Sequence, residues 1–218
     1  MPDLDTIYCG DCIPWLKSLP DECAIISDPP YGIDLATDYK ARGRGNLAQC
    51  NDYPKVHGDN SPFDPSPLLQ FQTVVLFGAN YYADKLPPSQ RWLVWDKRRG
   101  IGINDQADCE LIWTNQTGPA RVFRHLWNGM LKDSERDQQR CHPTQKPVEL
   151  ISWIIETLKI PEDTVIVDPY IGSGTTAVAC IRMGRHFLGC EIEPKYVEIA
   201  NRRIAQALND TALFSECE

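Results

Sequence analysis

The chain has no long hydrophobic run and no segment that resembles an export signal. None of its apolar stretches approaches the roughly 18 residues expected of a membrane-spanning helix. The first residues, Met1 to Asp5, are acidic and lack the basic and then apolar order of a secretory signal. These absences predict a cytoplasmic protein without a membrane partner. At 218 residues and 24% charged residues, we expect one globular domain with a substantial core.

The nine cysteines lack the arrangement of a disulfide framework or of a zinc ribbon. Their number is odd, and in a reducing compartment free cysteine behaves mostly as a small buried hydrophobe. Cys9 and Cys12 have the C-x-x-C spacing, but no second C-x-x-C accompanies them. We therefore expect no metal site.

The negative charge is unevenly distributed. The chain has a net charge of −8, which argues against indiscriminate nucleic-acid binding. Residues 38–140 nevertheless hold more Lys and Arg than Asp and Glu. Two interpretations stay open at this point, solvated loop charge and a polyanion lying across the middle segment. The basic clusters are Lys40, Arg42 and Arg44, then Lys97, Arg98 and Arg99, then Arg121 to Arg124.

The stretch from Ser27 to Gly32 organises the prediction. Ala24 to Ile26 is an apolar run typical of a buried strand, and Pro29 and Pro30 have to end it. Asp28 to Tyr31 would then form a rigid turn at the carboxyl end of a strand, where open α/β sheets bind ligands. A carboxylate, a fixed carbonyl and an aromatic ring there could hold a planar ring with an amino group. A strand-ending turn with a solvated Asp and a packed Tyr is the alternative.

A second glycine-rich turn follows another predicted strand. Thr164 to Val167 leads into Asp168, the turn containing Gly172 and Gly174, a helix, and a strand ending at Glu191. The turn lacks the lysine of a P-loop and the G-x-G-x-x-G of dinucleotide binders. Two acids at strand ends suit ribose hydroxyls and an ammonium group but repel phosphates. S-adenosylmethionine has that chemistry, and two solvated acids are the alternative.

The remaining pattern predicts alternating strands and helices. Residues 33–62 and 128–140 are polar and irregular, and the first of these segments has the length of a mobile loop. Asn80 to Leu86 is expected to begin a helix. Further strands are predicted over residues 6–9, 73–78, 91–95, 109–113, 121–123 and 187–190, and further helices over about 13–19, 147–158, 175–183 and 194–208.

Three motifs together resemble the amino-methyltransferases of DNA. They are Asp28-Pro29-Pro30-Tyr31, the stretch Asp168 to Thr176, and Cys141 to Pro147. The first motif precedes the second, as in the circularly permuted beta group of that family. The resemblance implies an α/β fold with a mainly parallel seven-stranded sheet, one antiparallel strand, and helices on both faces. Residues 1–218 would form a single methyltransferase domain, with a mobile loop at about 33–62 and a target-recognition segment at about 97–140.

The resemblance also implies roles for individual residues. Asp28, Pro29, Pro30 and Tyr31 would be catalytic, the amino hydrogens of the target base being accepted by Asp28 and the Pro29 carbonyl while Tyr31 stacks. Glu191 would bind the ribose of S-adenosylmethionine. The basic residues Arg42, Arg44, Lys97, Arg98 and Arg99 would contact double-stranded DNA. The other residues implied to bind the cofactor are Asp11, Thr144, Lys146, Asp168, Tyr170, Gly172, Ser173, Gly174, Thr175 and Thr176.

The target and some partners stay open. In the resembling family an Asp at the first position goes mostly with adenine N6 and a Ser mostly with cytosine N4, so Asp28 favours adenine, with cytosine N4 as the alternative. A methyltransferase of RNA or protein and a non-catalytic DNA-binding module on the same fold are further alternatives. A homodimer is left open because the recognition segment is short.

Overall fold

A computed structural model describes residues 2–35, 55–100, 107–128, 131–136 and 144–215. Eight strands form the main sheet: β1 (Thr6–Cys9), β2 (Ala24–Ser27), β3 (Thr73–Phe77), β4 (Trp92–Asp96), β5 (Cys109–Thr114), β6 (Arg121–Arg124), β9 (Ile166–Asp168) and β10 (Phe187–Glu191). The short strands β7 (Trp127–Asn128) and β8 (Leu131–Lys132) form a separate pair. The helices are α1 (Cys12–Leu16), α2 (Val148–Leu158), α3 (Thr175–Arg182) and α4 (Pro194–Ser215). Strands and helices alternate from α2 onwards, whereas β4 to β8 follow one another without a helix among the described residues.

The sheet is parallel except for one strand. Its order is β1-β10-β9-β2-β3-β5-β4-β6, and only β5 runs antiparallel to both neighbours. The prediction of a mainly parallel sheet with one antiparallel strand is confirmed, but the sheet has eight strands rather than seven. The additional strand is β6, which pairs with β4 at the edge. Because seven strands are parallel, their carboxyl ends all lie on the same side of the sheet. We call this side the site edge.

Both faces of the sheet are covered by apolar side chains. Along β2, Ala24 and Ile26 pack on the face of α2 and α3, and Ile25 packs on the opposite face near α1. This alternation is the period of a strand that is buried on both sides. Leu150, Ile151, Ile154 and Ile155 of α2 fill the first face, as predicted from their helical spacing.

Several helix boundaries differ from those predicted. No continuous helix follows Asn80; two single 3₁₀ turns, Ala79–Tyr81 and Ala83–Lys85, occupy the segment. Pro87 and Pro88 follow directly. Because proline has no N–H group to donate, it cannot continue the hydrogen bonds of a longer helix. Helix α1 ends at Leu16 rather than about Leu19, and α4 continues to Ser215.

The segment that was predicted to be irregular contains a small hairpin. Strands β7 and β8 pair antiparallel, with Trp127 opposite Lys132. The Lys132 ammonium lies 4.7 Å from the centre of the Trp127 ring, a contact that polarity alone does not indicate. Of the helices in the described part of the chain, none is both long and apolar enough to cross a bilayer.

Candidate active site

The acids that were singled out in the sequence lie together on the site edge. Asp28 follows β2, and Asp168 and Glu191 end β9 and β10. Strands β2 and β9 are neighbours, at the position where chain order across the sheet reverses. The Ser27 hydroxyl donates to Asp168 Oδ1 over 2.7 Å and so joins the end of β2 to the end of β9. Ligand crevices of open α/β sheets lie at this kind of position.

A row of four side chains with alternating charge runs along the site edge, and we call it the charge row. It consists of Asp28, Lys146, Glu110 and Lys97. The Lys146 ammonium lies 2.5 Å from Asp28 Oδ2 and 3.3 Å from Glu110 Oε2. On the far side, the Lys97 ammonium lies 3.2 Å from Glu110 Oε1. The row therefore reaches from the turn after β2 to the first residue after β4.

Burial and mutual attraction decide the ionisation of the charge row. Burial raises the pKa of Asp28, and the Lys146 ammonium offsets part of that rise. Burial alone would lower the pKa of Lys146, but the carboxylates of Asp28 and Glu110 outweigh it and raise that pKa. Burial alone would raise the pKa of Glu110, but the ammonium groups of Lys146 and Lys97 outweigh it and lower that pKa. The two lysines thus provide the counter-charge for the two acids.

Tyr31 contacts the other oxygen of Asp28. Its hydroxyl donates a hydrogen bond to Asp28 Oδ1, and its ring stacks on Tyr81 with the ring centres 5.2 Å apart. Burial raises the pKa of Tyr31 well above its usual value, so the hydroxyl stays a donor. The ring lies over Gly78, where a Cβ atom would overlap it. Glycine at the end of β3 therefore makes room for the aromatic ring.

Two prolines, Pro29 and Pro30, follow Asp28 in the turn after β2. No described residue donates a hydrogen bond to the Pro29 carbonyl, and the neighbouring Pro30 is half-buried. The buried Asp59 carboxylate then accepts from the N–H groups of Gly32 at 2.8 Å and Leu35 at 2.7 Å. The ends of the long polar segment are thus tied to each other, and its residues 36–54 lie outside the described residues.

Asp168 braces the glycine-rich turn. Its Oδ1 accepts from Ser27 and from the Tyr170 N–H at 3.1 Å, and its Oδ2 accepts from the Thr176 hydroxyl at 2.6 Å. Burial raises the pKa of Asp168 to about 6, although these donors oppose the rise. The Tyr170 ring packs edge-on against Phe63, 6.0 Å between ring centres.

Glu191 holds the same turn from the next strand. Its Oε2 accepts from the Gly172 N–H at 3.0 Å, and its Oε1 accepts from the Glu193 N–H at 2.9 Å. Burial raises the pKa of Glu191, and the N–H donors oppose the rise. Asp11, after β1, uses Oδ1 to accept from the Ile13 N–H at 2.9 Å and so caps α1. It retains a second oxygen at the exposed surface.

The turn itself rests on helix α4. Gly174 has a φ of 84°, and a Cβ atom there would lie 2.9 Å from the Cβ of Ala200 in α4. Arg203 of α4 donates to the Ser173 carbonyl at 2.7 Å and contacts the Thr175 hydroxyl at 3.3 Å. Its other Nη lies 3.4 Å from Glu135 Oε1. Glu135 follows the β7–β8 hairpin, so the turn is linked to the predicted recognition segment.

The two carboxylates at the ends of β9 and β10 fit S-adenosylmethionine. Among the described residues, hydroxyl and N–H groups alone donate to Asp168 and Glu191, and no lysine or arginine is paired with either. Two anions without a side-chain counter-charge attract an ammonium group and accept from ribose hydroxyls, whereas they repel a phosphate. S-adenosylmethionine carries an ammonium and a ribose and has no phosphate.

The structure separates the three predicted DNA-contacting cations after β4. The Asp96 carboxylate accepts from the N–H groups of Arg98 and Arg99 and so forms a turn. The Arg98 side chain is buried and pairs with Asp108 at 3.2 Å, and Lys97 belongs to the charge row. Arg99 keeps 54% of its side chain exposed beside Asp133. The other two predicted contacts, Arg42 and Arg44, lie outside the described residues.

Sequence reasoning missed Glu110, and it gave Lys146 a different neighbour. Lys146 was expected at the cofactor carboxylate, together with Thr144, and the structure places it between two acids, with the Thr144 carbonyl at 3.3 Å. The signal for Glu110 was a lone acid in an apolar strand, which is costly to bury without a partner. Within the described ranges, no group of three or more His, Cys, Asp or Glu side chains could hold a metal ion.

Comparison with known proteins gives consistent results. The sequence profile of DNA methylases matches residues 79–202, more than half of the chain. The Type II methyltransferase M.HinfI of Haemophilus influenzae is 24% identical over 265 residues, 97% of this chain and 72% of that protein. The Type II methyltransferase M2.DpnII of Streptococcus pneumoniae is 40% identical over 123 residues, 56% of this chain but only 44% of that protein.

Solved structures are similar over almost the whole chain. The M1.HpyAVI complex with SAM has a TM-score of 0.53 at 24% identity, over 91% of this chain and 98% of that chain. The cytosine-N4-specific PvuII DNA methyltransferase has a TM-score of 0.57 at 17% identity, over 93% of this chain and 90% of that chain. At these identities the likeness shows the fold, which is confirmed.

The family prediction and the cofactor prediction are both confirmed, whereas the assignment to the permuted beta group stays a prediction. The matched profile lies downstream of Asp28 and includes the acids at the ends of β9 and β10. The chain therefore belongs to the DNA methylase family, whose S-adenosylmethionine-dependent members methylate the exocyclic amino group of adenine N6 or cytosine N4.

Proposed function

We propose that the protein is a site-specific methyltransferase of double-stranded DNA that acts on adenine N6, on a base that has left the helix. The observation that carries the choice of adenine is the Asp28 carboxylate, whose Oδ2 lies 2.5 Å from the Lys146 ammonium. An ionised carboxylate accepts amino hydrogens more strongly than a neutral hydroxyl does. Adenine and cytosine present similar amino groups, so the choice of adenine also rests on the resembling family, in which an Asp at this position goes mostly with adenine N6 and a Ser mostly with cytosine N4.

The chemistry assigned to the turn after β2 concerns that lone pair. When bound, S-adenosylmethionine supplies an electrophilic methyl group on a sulfonium. Asp28 and the Pro29 carbonyl accept the amino hydrogens of the target base, which favours a pyramidal nitrogen and frees its lone pair for in-line attack. They also stabilise the positive charge that develops on the nitrogen. Tyr31 stacks on the base and offsets part of the few kcal/mol that leaving the helix costs.

The residues around the glycine-rich turn are proposed to hold the cofactor. Asp168, Tyr170 and the turn from Gly172 to Thr176 would bind its methionine part. Glu191 would accept from the ribose hydroxyls, and the free oxygen of Asp11 from the adenine amino group. Thr144 is proposed beside the cofactor carboxylate, whereas the position of Lys146 between Asp28 and Glu110 favours a different role.

Residues 97–140 are proposed as the target-recognition segment of one methyltransferase domain. Arg99 and the exposed Arg124 of β6 supply positive charge at the same end of neighbouring strands. Phosphate contacts of this kind position DNA without reading its sequence. Arg42, Arg44 and the residues around them would add contacts with DNA phosphates. A homodimer, in which a second copy of the chain helps to recognise the target, is left open.

The test is the identity of the methylated nucleoside. The protein is incubated with methyl-labelled S-adenosylmethionine and DNA from an unmethylated host, and the digested nucleosides are separated by chromatography with mass detection. Label in N6-methyladenine alone is expected. Label in N4-methylcytosine alone would overturn the choice of adenine and leave the family intact. A protein that binds the cofactor but labels neither base would instead be a non-catalytic DNA-binding module or a methyltransferase of RNA or protein.

A further inference from the structure

The ammonium of Lys146 is surrounded by oxygen atoms of the chain. It lies 2.5 Å from Asp28 Oδ2, 3.3 Å from Glu110 Oε2 and 3.3 Å from the Thr144 carbonyl. It also lies 5.2 Å from the centre of the Phe77 ring. Of the three N–H donors of an ammonium, two are used in hydrogen bonds to Asp28 Oδ2 and the Thr144 carbonyl, and Glu110 Oε2 adds an ion pair without a hydrogen bond. Nothing in this geometry reserves Lys146 for the carboxylate of a ligand.

We propose that Lys146 and Glu110 are positioning residues for methyl transfer: Lys146 keeps Asp28 ionised and fixes the direction of its carboxylate, and Glu110 keeps Lys146 in place. This inference rests on the proposed role of Asp28 as the acceptor of the amino hydrogens. It assigns Glu110 a part in the reaction through Lys146, whose ammonium lies 3.3 Å from Glu110 Oε2.

The surroundings of Asp28 explain why a nearby cation is needed. The Asp28 side chain keeps only 16% of its surface exposed. The Glu110 carboxylate raises the pKa of Asp28, and the Asp28 carboxylate in turn raises the pKa of Asp168. Among the described residues, the one cation paired with it is Lys146. Without that cation a buried carboxyl facing other acids takes up a proton, and a protonated carboxyl loses much of its strength as an acceptor. The titratable groups that face Asp28 are Tyr31, Tyr82, Glu110, Lys146 and Asp168.

Glu110 acts on Asp28 in two opposite ways. Its negative charge, 3.3 Å from the ammonium, holds Lys146 in line with Asp28. The same charge disfavours ionisation of Asp28. Removing Glu110 therefore loosens the ammonium but makes Asp28 easier to ionise, whereas removing Lys146 makes Asp28 harder to ionise. The two variants should differ in the sign of their effect on a pH profile.

The experiment measures kcat against pH for K146M, K146R and E110Q at saturating DNA and cofactor, with K17M, at the exposed end of α1, as control. We expect K146M to lower kcat at neutral pH by about 100-fold and to move the acid limb up by at least about one pH unit. K146R should keep the limb near its original position. E110Q should lower kcat about tenfold without raising the limb. Cofactor affinity, measured by calorimetry, should stay within about threefold in all variants.

Infrared spectroscopy gives a readout that does not depend on turnover. We expect K146M to show the band of a protonated carboxyl at neutral pH, and the further substitution D28N should remove it. This separates the inference from the proposed function, because the band is expected even if the chain methylates neither base.

Three results would overturn the inference. In the first, K146M loses cofactor affinity while its acid limb and carboxyl band stay as in the wild type, which would place Lys146 at the cofactor carboxylate. In the second, K146M behaves like K17M. In the third, E110Q raises the acid limb, a result that still decides the matter should K146M fail to fold.

Discussion

The site edge holds two groups of acids that are treated in opposite ways. Asp28 has its counter-charge inside the chain, in the Lys146 ammonium at 2.5 Å. Asp168 and Glu191, one and two strands further along the sheet, are bound by hydroxyl and N–H groups and by no cation among the described residues. An acid that is already neutralised suits a neutral amino group. Acids that are not neutralised attract a cation, so the proposed sites would separate the cationic methyl donor from the neutral acceptor along one edge.

The two groups are nevertheless physically connected. Ser27, next to Asp28 in the chain, donates to Asp168 over 2.7 Å. A substitution in one group can therefore disturb the other through this hydrogen bond. Each prediction below is a measurement that separates the two groups, or that shows them to be inseparable.

Asp28→Ala should have the largest effect, on turnover alone. Loss of the acceptor should lower kcat by roughly 10²–10³-fold, while calorimetry finds cofactor affinity within about threefold of wild type. Asp21→Ala, an exposed acid before β2, is the matched control and should change neither quantity. Comparable turnover in Asp28→Ala would contradict the role given to the turn after β2.

Asp168→Ala should produce the reverse pattern. It removes the anion and the brace of the glycine-rich turn, and charge-assisted hydrogen bonds contribute about 1.5–3 kcal/mol each. Cofactor affinity should fall by at least about 100-fold, since two such contacts contribute about 3 kcal/mol or more together. The chain should remain folded by circular dichroism, and the exposed Asp163→Ala should bind like wild type. Near-native affinity of Asp168→Ala would remove the cofactor site from the ends of β9 and β10.

The pH dependence of cofactor binding should report Asp168 rather than Asp28. Burial raises the pKa of Asp168 from 3.8 to about 6, so the anion is lost as pH falls through about 6. Cofactor affinity should therefore drop in that range, by at most about tenfold per pH unit. Calorimetry from acid to neutral pH measures it, and a flat profile would contradict the assignment.

The same group acts on folding with the opposite sign. Because the pKa of Asp168 is higher in the folded chain than the ordinary value of 3.8, the folded state retains a proton that the unfolded state has lost. Stability of the free protein should then decline as pH rises between those two values. Urea titrations across this range check the sign.

Gly174→Ala should weaken the cofactor side with a smaller effect. An alanine there adopts a φ of 84° and brings its Cβ to 2.9 Å from Ala200. Gly184→Ala is a matched control, with a φ of 63° and open space around the Cβ. Both should lose about 1–2 kcal/mol of unfolding free energy because of the left-handed backbone. Only Gly174→Ala should also lose cofactor affinity, and equal behaviour would exclude the close approach to α4 as its cause.

Arg99→Ala should have the smallest effect and should leave both acid groups unchanged. The arginine is half-exposed beside Asp133, so its loss should weaken DNA binding about threefold and flatten the salt dependence by about 0.9 per lost phosphate contact. Fluorescence anisotropy with DNA at several salt concentrations measures both quantities. Lys17→Ala is the control, and an unchanged salt slope in Arg99→Ala would place the residue away from DNA.

The sequence was sufficient for the elements that depend on short-range patterns. Strands β2, β3 and β9 are runs of apolar and mainly β-branched residues, and α2 has an apolar face that begins after Pro147. Asp28, Asp168 and Glu191 could be placed on one edge because parallel strands end on the same side. These inferences need neither long-range pairing nor side-chain rotamers.

The charge row depends on information that local patterns do not contain. Glu110 reaches the site edge because β5 runs antiparallel, which puts its beginning where the other strands end. The sequence of β5 does not state its direction. Lys97, Arg98 and Arg99 look equivalent in sequence, but the turn capped by Asp96 directs Arg98 inward and leaves Arg99 outside. Side-chain direction in such a turn follows from backbone angles that three adjacent cations do not reveal.

The reversed strand has a consequence for how such an enzyme can diversify. Asp96 ends β4 directly opposite Cys109, which begins β5, so the chain between them leaves the sheet and returns to it at the site edge. An insertion or deletion between residues 100 and 107 leaves the paired residues of β4 and β5 and the buried Arg98–Asp108 ion pair in place. It changes the chain beside the site edge without changing a paired strand residue. On the proposed role of residues 97–140 in target recognition, new target sequences would be acquired by changing the length of this connection, without the cost in stability that a change in a packed element would bring.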